Sequence, residues 1–118
     1  MNELAVVVLS TAPAVAPGSA PGKLGADALA RQLVEDGLCA CVNVLPGVRS
    51  HFRWRGAVDV ADEHLMVIKT TRAAAPALRA RLLALHPYDV PEVLELPVVG
   101  AAPDYLRWLV DAVPAAPG

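Results

Sequence analysis

From Val48 to Arg55 the side chains alternate without interruption, with Val48, Ser50, Phe52 and Trp54 on one side and Arg49, His51, Arg53 and Arg55 on the other. Only an extended strand has that period, because successive side chains of a strand leave opposite faces. This strand therefore carries one apolar face and one cationic face. Leu38 to Leu45, just before it, also has β character, and Pro46-Gly47 separates the two runs. Leu38 to Trp54 is read as one long strand bent at Pro46-Gly47. A proline removes a ladder donor, so such a strand lies at a sheet edge or carries a bulge.

The rest of the chain fits around that strand. Leu4 to Leu9 is a short Val-rich run closed by Ser10-Thr11-Ala12-Pro13, which predicts a central strand buried on both faces. Pro13 to Gly25 is broken by Pro and Gly and reads as a mobile loop. Ala26, Leu29, Ala30, Leu33 and Val34 then recur at helical spacing, with Asp27 and Arg31 as a favourable acid-first pair and Gly37 as the stop. Gly56 to Glu63 reads as a polar connection, and Leu65 to Thr70 as a second buried strand, antiparallel to the long one if the connection is a hairpin. Ala73 to Leu85 is a second helix, with Ala74, Leu78, Leu82 and Leu85 as its buried stripe and Pro76 in its first turn. Val93 to Val99 is a strand that Pro97 places at an edge. A last amphipathic helix runs from Asp104 to Val113, with Leu106, Leu109, Val110 and Val113 on one stripe.

The resulting order is β-α-β-β-α-β with an added helix: an α+β, ferredoxin-like sandwich in which two helices cover one face of an antiparallel sheet. The first and third strands form its centre, flanked by the two proline-marked edges. Residues 1–113 form one domain, and 114–118 a flexible tail. An unpaired edge invites intermolecular pairing, so the long strand is expected to mediate self-association.

Composition narrows the partners. Hydrophobic residues make up 55% of the chain and aromatics only 4%, so the core is built from Ala, Val and Leu. With a mean hydropathy of +0.44, part of the apolar surface is expected to be covered by another subunit. A net charge of −2 without a basic stripe argues against nucleic acid. The apolar run at Leu4 to Leu9 is far too short to span a membrane, and Glu3 precedes it where a signal peptide would carry positive charge, so the expected location is cytoplasmic. Cys39 and Cys41, two apart in an extended segment, share a face but sit roughly 6.5 to 7 Å apart along it, beyond easy disulfide reach. They are expected to be free thiols in a reducing compartment, mainly small buried hydrophobes, with a thiolate metal site as the alternative.

The densest polar chemistry lies in His86-Pro87-Tyr88-Asp89-Val90-Pro91-Glu92, which packs an imidazole, a phenol and two carboxylates around two prolines. Each proline fixes its own φ and biases its predecessor toward an extended conformation, so this is a stiff arm. His86 is read either as a partly cationic imidazole at a helix C-terminus or as a ligand. Lys69, in line with Leu65 and Val67, is expected either to be solvated or to point into a cleft. Glu92 would pair with Lys69 or line that cleft. The row of Arg49, His51, Arg53 and Arg55 reads as a solvated face. Asp59, Asp62 and Glu63 lack calcium-loop spacing, and Pro13 to Gly25 lacks the lysine and hydroxyl of a phosphate loop.

Several stretches together resemble one family: Ser10-Thr11-Ala12-Pro13, Cys41-Val42-Asn43-Val44-Leu45-Pro46-Gly47-Val48, Ser50 with Trp54 and Gly56, Ile68-Lys69-Thr70-Thr71, the His86 to Glu92 arm, and Tyr105-Leu106 with Trp108. In this order, from about Leu4 to Val113, they are similar to the CutA family of divalent-cation tolerance proteins. The resemblance implies a tight homotrimer in which edge strands continue the neighbour's sheet, a shape similar to the PII signalling proteins, and a link to tolerance of copper and other divalent ions. It places Trp54, Lys69, Tyr88 and Glu92 around an inter-subunit cleft. The family's copper-associated cysteine falls at Ser10, and its paired histidines at Leu85 and His86. A hydroxyl, an apolar chain and one imidazole leave that set incomplete, so weak binding of copper or another divalent cation is the expectation, with His86 and Cys41 as candidate ligands.

The leading functional reading is a non-enzymatic homotrimer in metal-ion response, with weak metal or small-ligand binding at subunit clefts. The alternative is a PII-like signalling module that binds a metabolite and a partner protein. An acylphosphatase-type enzyme would need an arginine in the first loop, where this chain has only Lys23.

Overall fold

A computed structural model describes residues 4–114, so the tail expected at 114–118 lies, beyond Pro114, outside the described residues. The elements in order are β1 (Ala5–Ala12), α1 (Ala26–Glu35), β2 (Cys41–Trp54), β3 (Ala57–Thr71), α2 (Ala75–Leu85), β4 (Leu94–Pro97) and α3 (Pro103–Ala112). The four strands form an antiparallel sheet in the order β2-β3-β1-β4. This is the ferredoxin-like arrangement, with the first and third strands central and the proline-bearing strands at the edges.

The sheet has two unlike faces. Val8 and Ala12 of β1 and Met66 and Ile68 of β3 turn toward Leu29 and Leu33 of α1 and Leu78 and Leu82 of α2, and all are buried in one cluster. Each buried leucine there contributes about 1.5–3 kcal/mol through area removed from water. On the other face Val7, Leu9 and Thr11 are only partly covered. The expectation that β1 is buried on both faces is corrected accordingly: both helices that follow a strand crossover pack on one side. β1 is also longer than its apolar run, because Ser10, Thr11 and Ala12 remain paired with Met66, Leu65 and His64.

The larger correction concerns the connection read at Gly56 to Glu63. It is strand. Trp54 pairs directly with Ala57, and the ladder runs back through Phe52 with Asp59 and Ser50 with Ala61. The turn is Arg55-Gly56 alone, with φ of 50° and 81°. Two successive positive φ values give the two-residue turn whose twist suits a hairpin. Pro46-Gly47 is accommodated by a register shift between Leu45 and Val48, as a bulge should be. β2 begins at Cys41, not Leu38. The bend before it sends Cys39 into the helix-side core, while Cys41 stands opposite Lys69 on the other face, so the two thiols do not share a face.

Local signals set the helix ends. Gly37 has φ 73°, and the bonds Leu38 N–H to Leu33 O (3.1 Å) and Gly37 N–H to Val34 O (3.0 Å) close the end of α1 as a Schellman motif. Arg31 pairs with Glu35 at 2.8 Å, not with Asp27, and both partners are exposed. The Pro13 to Gly25 loop is fastened to the end of α2: Lys23 Nζ donates to Ala84 O (2.9 Å) and Leu24 N–H to Leu85 O (2.9 Å). A lysine there also opposes the negative pole of the helix. β4 is shorter than the Val93 to Val99 run, and its four residues are exposed. α3 starts one residue earlier than its periodicity suggests, with Pro103 in its first turn, and buries Leu109.

Candidate functional site

α2 ends at His86, whose extended backbone (φ −72°, ψ 138°) is what the following Pro87 demands. Its side chain turns inward and is 1% exposed. Nε2 lies 2.8 Å from Thr11 O, and the Tyr88 N–H donates to Nδ1 at 3.0 Å. A ring that accepts at Nδ1 must donate from Nε2, so these bonds fix a neutral imidazole with its proton on Nε2. β4 pairs with β1 only from Val6 to Leu9, so His86 supplies a donor to a β1 carbonyl beyond the end of β4. Burial pushes the imidazole pKa down, partly offset by the Thr11 carbonyl and the charge of Glu63. The partly cationic histidine expected at this helix end is thus replaced by a neutral one. A metal could reach this ring only after one of its two hydrogen bonds broke.

Tyr88 carries the arm onto the helix-free face. Its ring centroid lies 4.8 Å from that of His86, and its hydroxyl donates to Glu63 Oε2 at 2.9 Å. Burial, and then this bond to a carboxylate, raise the phenol pKa to about 12. Glu63 is 6% exposed and sits on β3 opposite Val48, next to the bulge. Sequence reasoning placed Glu63 in a connection and missed it. The signal was present: Asp59, Ala61 and Glu63 continue the alternation of Leu65 and Val67, and a turn at Arg55-Gly56 makes that run one strand.

Between the arm and the hairpin lies an open cavity of about 460 Å³. Phe52, Trp54 and Tyr88 provide aromatic walls, and Asp59, Glu63, Asp89 and Glu92 provide carboxylates. Of the residues expected around a cleft, the structure brings together Trp54, Tyr88 and Glu92. Lys69 stands elsewhere on the sheet, where its ammonium donates to Asn43 Oδ1. Arg49, His51, Arg53 and Arg55 are exposed on the hairpin; Arg49 approaches Asp62 at 3.7 Å, and Arg55 lies over the Trp54 ring.

The metal candidates are dispersed. Cys41 is half-buried opposite Lys69, far along the sheet from His86. Burial, followed by the neighbouring Cys41, pushes the Cys39 thiol up to about 12, which keeps it protonated and unreactive. Ser10 is fully buried, and its Oγ has no hydrogen-bond partner among the described residues. Leu85 packs against the core. Among the described residues no three His, Cys, Asp or Glu side chains are grouped to hold a metal ion. No helix among the described residues is long and apolar enough to cross a membrane.

Comparison with known proteins gives one answer. A model of the CutA1 divalent ion tolerance protein family matches residues 15–112. The divalent-cation tolerance protein CutA of Thermus thermophilus is 46% identical over 89 residues, covering 75% of this chain and 86% of that one. The solved structure of the Thermus thermophilus divalent cation tolerance protein superposes with a TM-score of 0.80 at 41% identity, over 93% of this chain and 99% of that one. A PII-like protein CutA from a Nostoc species superposes at 0.79 with 26% identity, over 94% and 99% of the two chains. The match spans about half the length of the chloroplastic and mammalian relatives.

Proposed function

Because the chain belongs to the CutA divalent ion tolerance family, we propose that it is a non-enzymatic homotrimer that serves the response to divalent metal ions and takes an ion or small ligand weakly at clefts between subunits. The observation that carries this reading is the apolar surface that one chain leaves uncovered. Phe52, Trp54, Val58 and Val60 on the hairpin and Leu94 and Leu96 on β4 are all exposed, and both lie on open sheet edges. Open edges of this kind are templates for pairing with another chain. A third subunit closing the ring would turn the aromatic cavity into an enclosed cleft, with Trp54, Tyr88 and Glu92 on its walls.

Copper or another divalent cation binds weakly in this reading, since Ser10 and Leu85 supply no ligand and both nitrogens of His86 are engaged. Cys41 and His86 remain the side chains to test. Lys69 joins the cleft only if a neighbouring subunit brings its own cavity beside it. Two free thiols agree with a reducing, cytoplasmic setting. Calorimetry with Cu(II), Cu(I) and Zn(II) on the wild type, His86→Ala and Cys41→Ser tests the metal part. Weak binding that each substitution reduces supports it; binding unchanged in both removes these ligands. The likeness to a PII-like CutA structure favours a second reading, a signalling module for a metabolite and a partner protein. A thermal-shift screen of nucleotides and carboxylic acids separates the two, because a ligand at 100 times its Kd stabilises by about 2.7 kcal/mol.

A further inference from the structure

We propose that the occupant of this cavity is an organic cation with an apolar body, such as an alkylamine, in preference to an anion or a bare metal ion; this rests on the cavity being a ligand site, as proposed above. The first support is the sign of the lining. Asp59, Glu63, Asp89 and Glu92 border the space, and no Lys, Arg or His does so among the described residues. An anion would meet four carboxylates, while Arg55, which lies over the Trp54 ring, is not among the lining residues. The second support is Glu63 itself. It is 6% exposed, and Tyr88 satisfies only Oε2, leaving Oε1 without a hydrogen-bond partner among the described residues. A carboxylate whose second oxygen is left open to the cavity it lines calls for a positive donor.

The third support is the walls. Phe52, Trp54 and Tyr88 present π-systems to the same space, and aromatic faces attract ammonium and guanidinium groups while packing against alkyl chains. Size and spacing weigh against a bare ion. About 460 Å³ is the scale of a small-molecule site, and the carboxylates are not grouped as a metal ligand set. In the assigned arrangement the cationic head lies at Glu63 Oε1, the alkyl body lies between Trp54 and Tyr88, and Asp89 and Glu92 lie at the open rim.

The test uses cadaverine as the probe and pentanediol as its neutral counterpart of similar shape, with Trp54 fluorescence read in a Trp108→Phe background. Cadaverine is expected to shift Trp54 emission saturably, more weakly in high salt, and pentanediol not to do so. Glu63→Gln is expected to weaken cadaverine binding by about tenfold or more, and Asp27→Asn, on α1 and outside the cavity lining, to leave it unchanged. Equal responses to cadaverine and pentanediol, or no saturable response to cadaverine, would overturn the assignment. Sedimentation of the same samples keeps the two readings apart. A trimer that ignores cadaverine refutes the cation and leaves the assembly standing, while a monomer that binds it does the reverse.

Discussion

At the scale of single residues, His86 is the side chain whose role the structure changes most. It is a buried, neutral connector that ties the arm to β1 through both ring nitrogens. Its pKa lies below the ordinary imidazole value of 6.5 because burial disfavours the charged form. The unfolded chain therefore binds a proton more readily, and stability falls as pH drops below about 6.5 toward the folded pKa. Urea midpoints measured on either side of that window should differ in the wild type, with the more acidic sample less stable, and the difference should shrink in His86→Asn. An unchanged difference in the variant would assign the pH dependence to other groups. His86→Asn should also cost about 2–4 kcal/mol, since it removes a packed ring and leaves polar groups unpaired. Tyr88→Phe should cost about 1.5 kcal/mol, for the loss of one hydrogen bond to a charged group, measured by the same denaturation.

At the scale of elements, the β2–β3 hairpin is where sequence reading and structure part most. Alternation from Val48 to Trp54 was legible because apolar and charged residues strictly interleave. Its partner strand was not, because Asp59, Asp62 and Glu63 look like a solvated connection until Trp54 and Ala57 are known to pair. The missing signal was the turn: Arg55 is not a residue that normally adopts positive φ, so Arg55-Gly56 did not announce itself. Arg55→Asn should therefore stabilise the chain by a few tenths to about 1 kcal/mol, and Gly56→Ala should destabilise it by about 1 kcal/mol or more, both read from thermal or urea unfolding. The helices were legible because Leu29, Leu33, Leu78 and Leu82 recur at the helical period and are all buried. Leu82→Ala should cost about 2–5 kcal/mol for the same reason. Of the candidate site, the arm could be read from its polar density and two prolines, whereas Trp54 was placed at a cleft by the family resemblance alone. Glu63 depended on a strand that the sequence disguised, and Lys69 on a distance between strands that no spacing along the chain encodes.

At the scale of the molecule, the chain leaves a large apolar surface uncovered. Its sheet ends in two open edges, its hairpin projects Phe52, Trp54, Val58 and Val60 into water, and its cavity has one side open. The rings of Tyr105 and Trp108 meet at a tilt, with centroids 5.5 Å apart, and both are exposed on α3, adding to the apolar surface. Isolated exposed residues of this kind are ordinary, but several on two open edges support the proposed self-association. Leu96→Glu, which places a charge on the exposed edge strand without touching the core, should dissociate the assembly while leaving each chain folded by circular dichroism. The most direct test is sedimentation equilibrium of the wild-type chain at micromolar concentration. A mass three times that of the 12.3 kDa chain, reduced to one chain by Leu96→Glu, is the predicted result. A stable wild-type monomer at that concentration would contradict it.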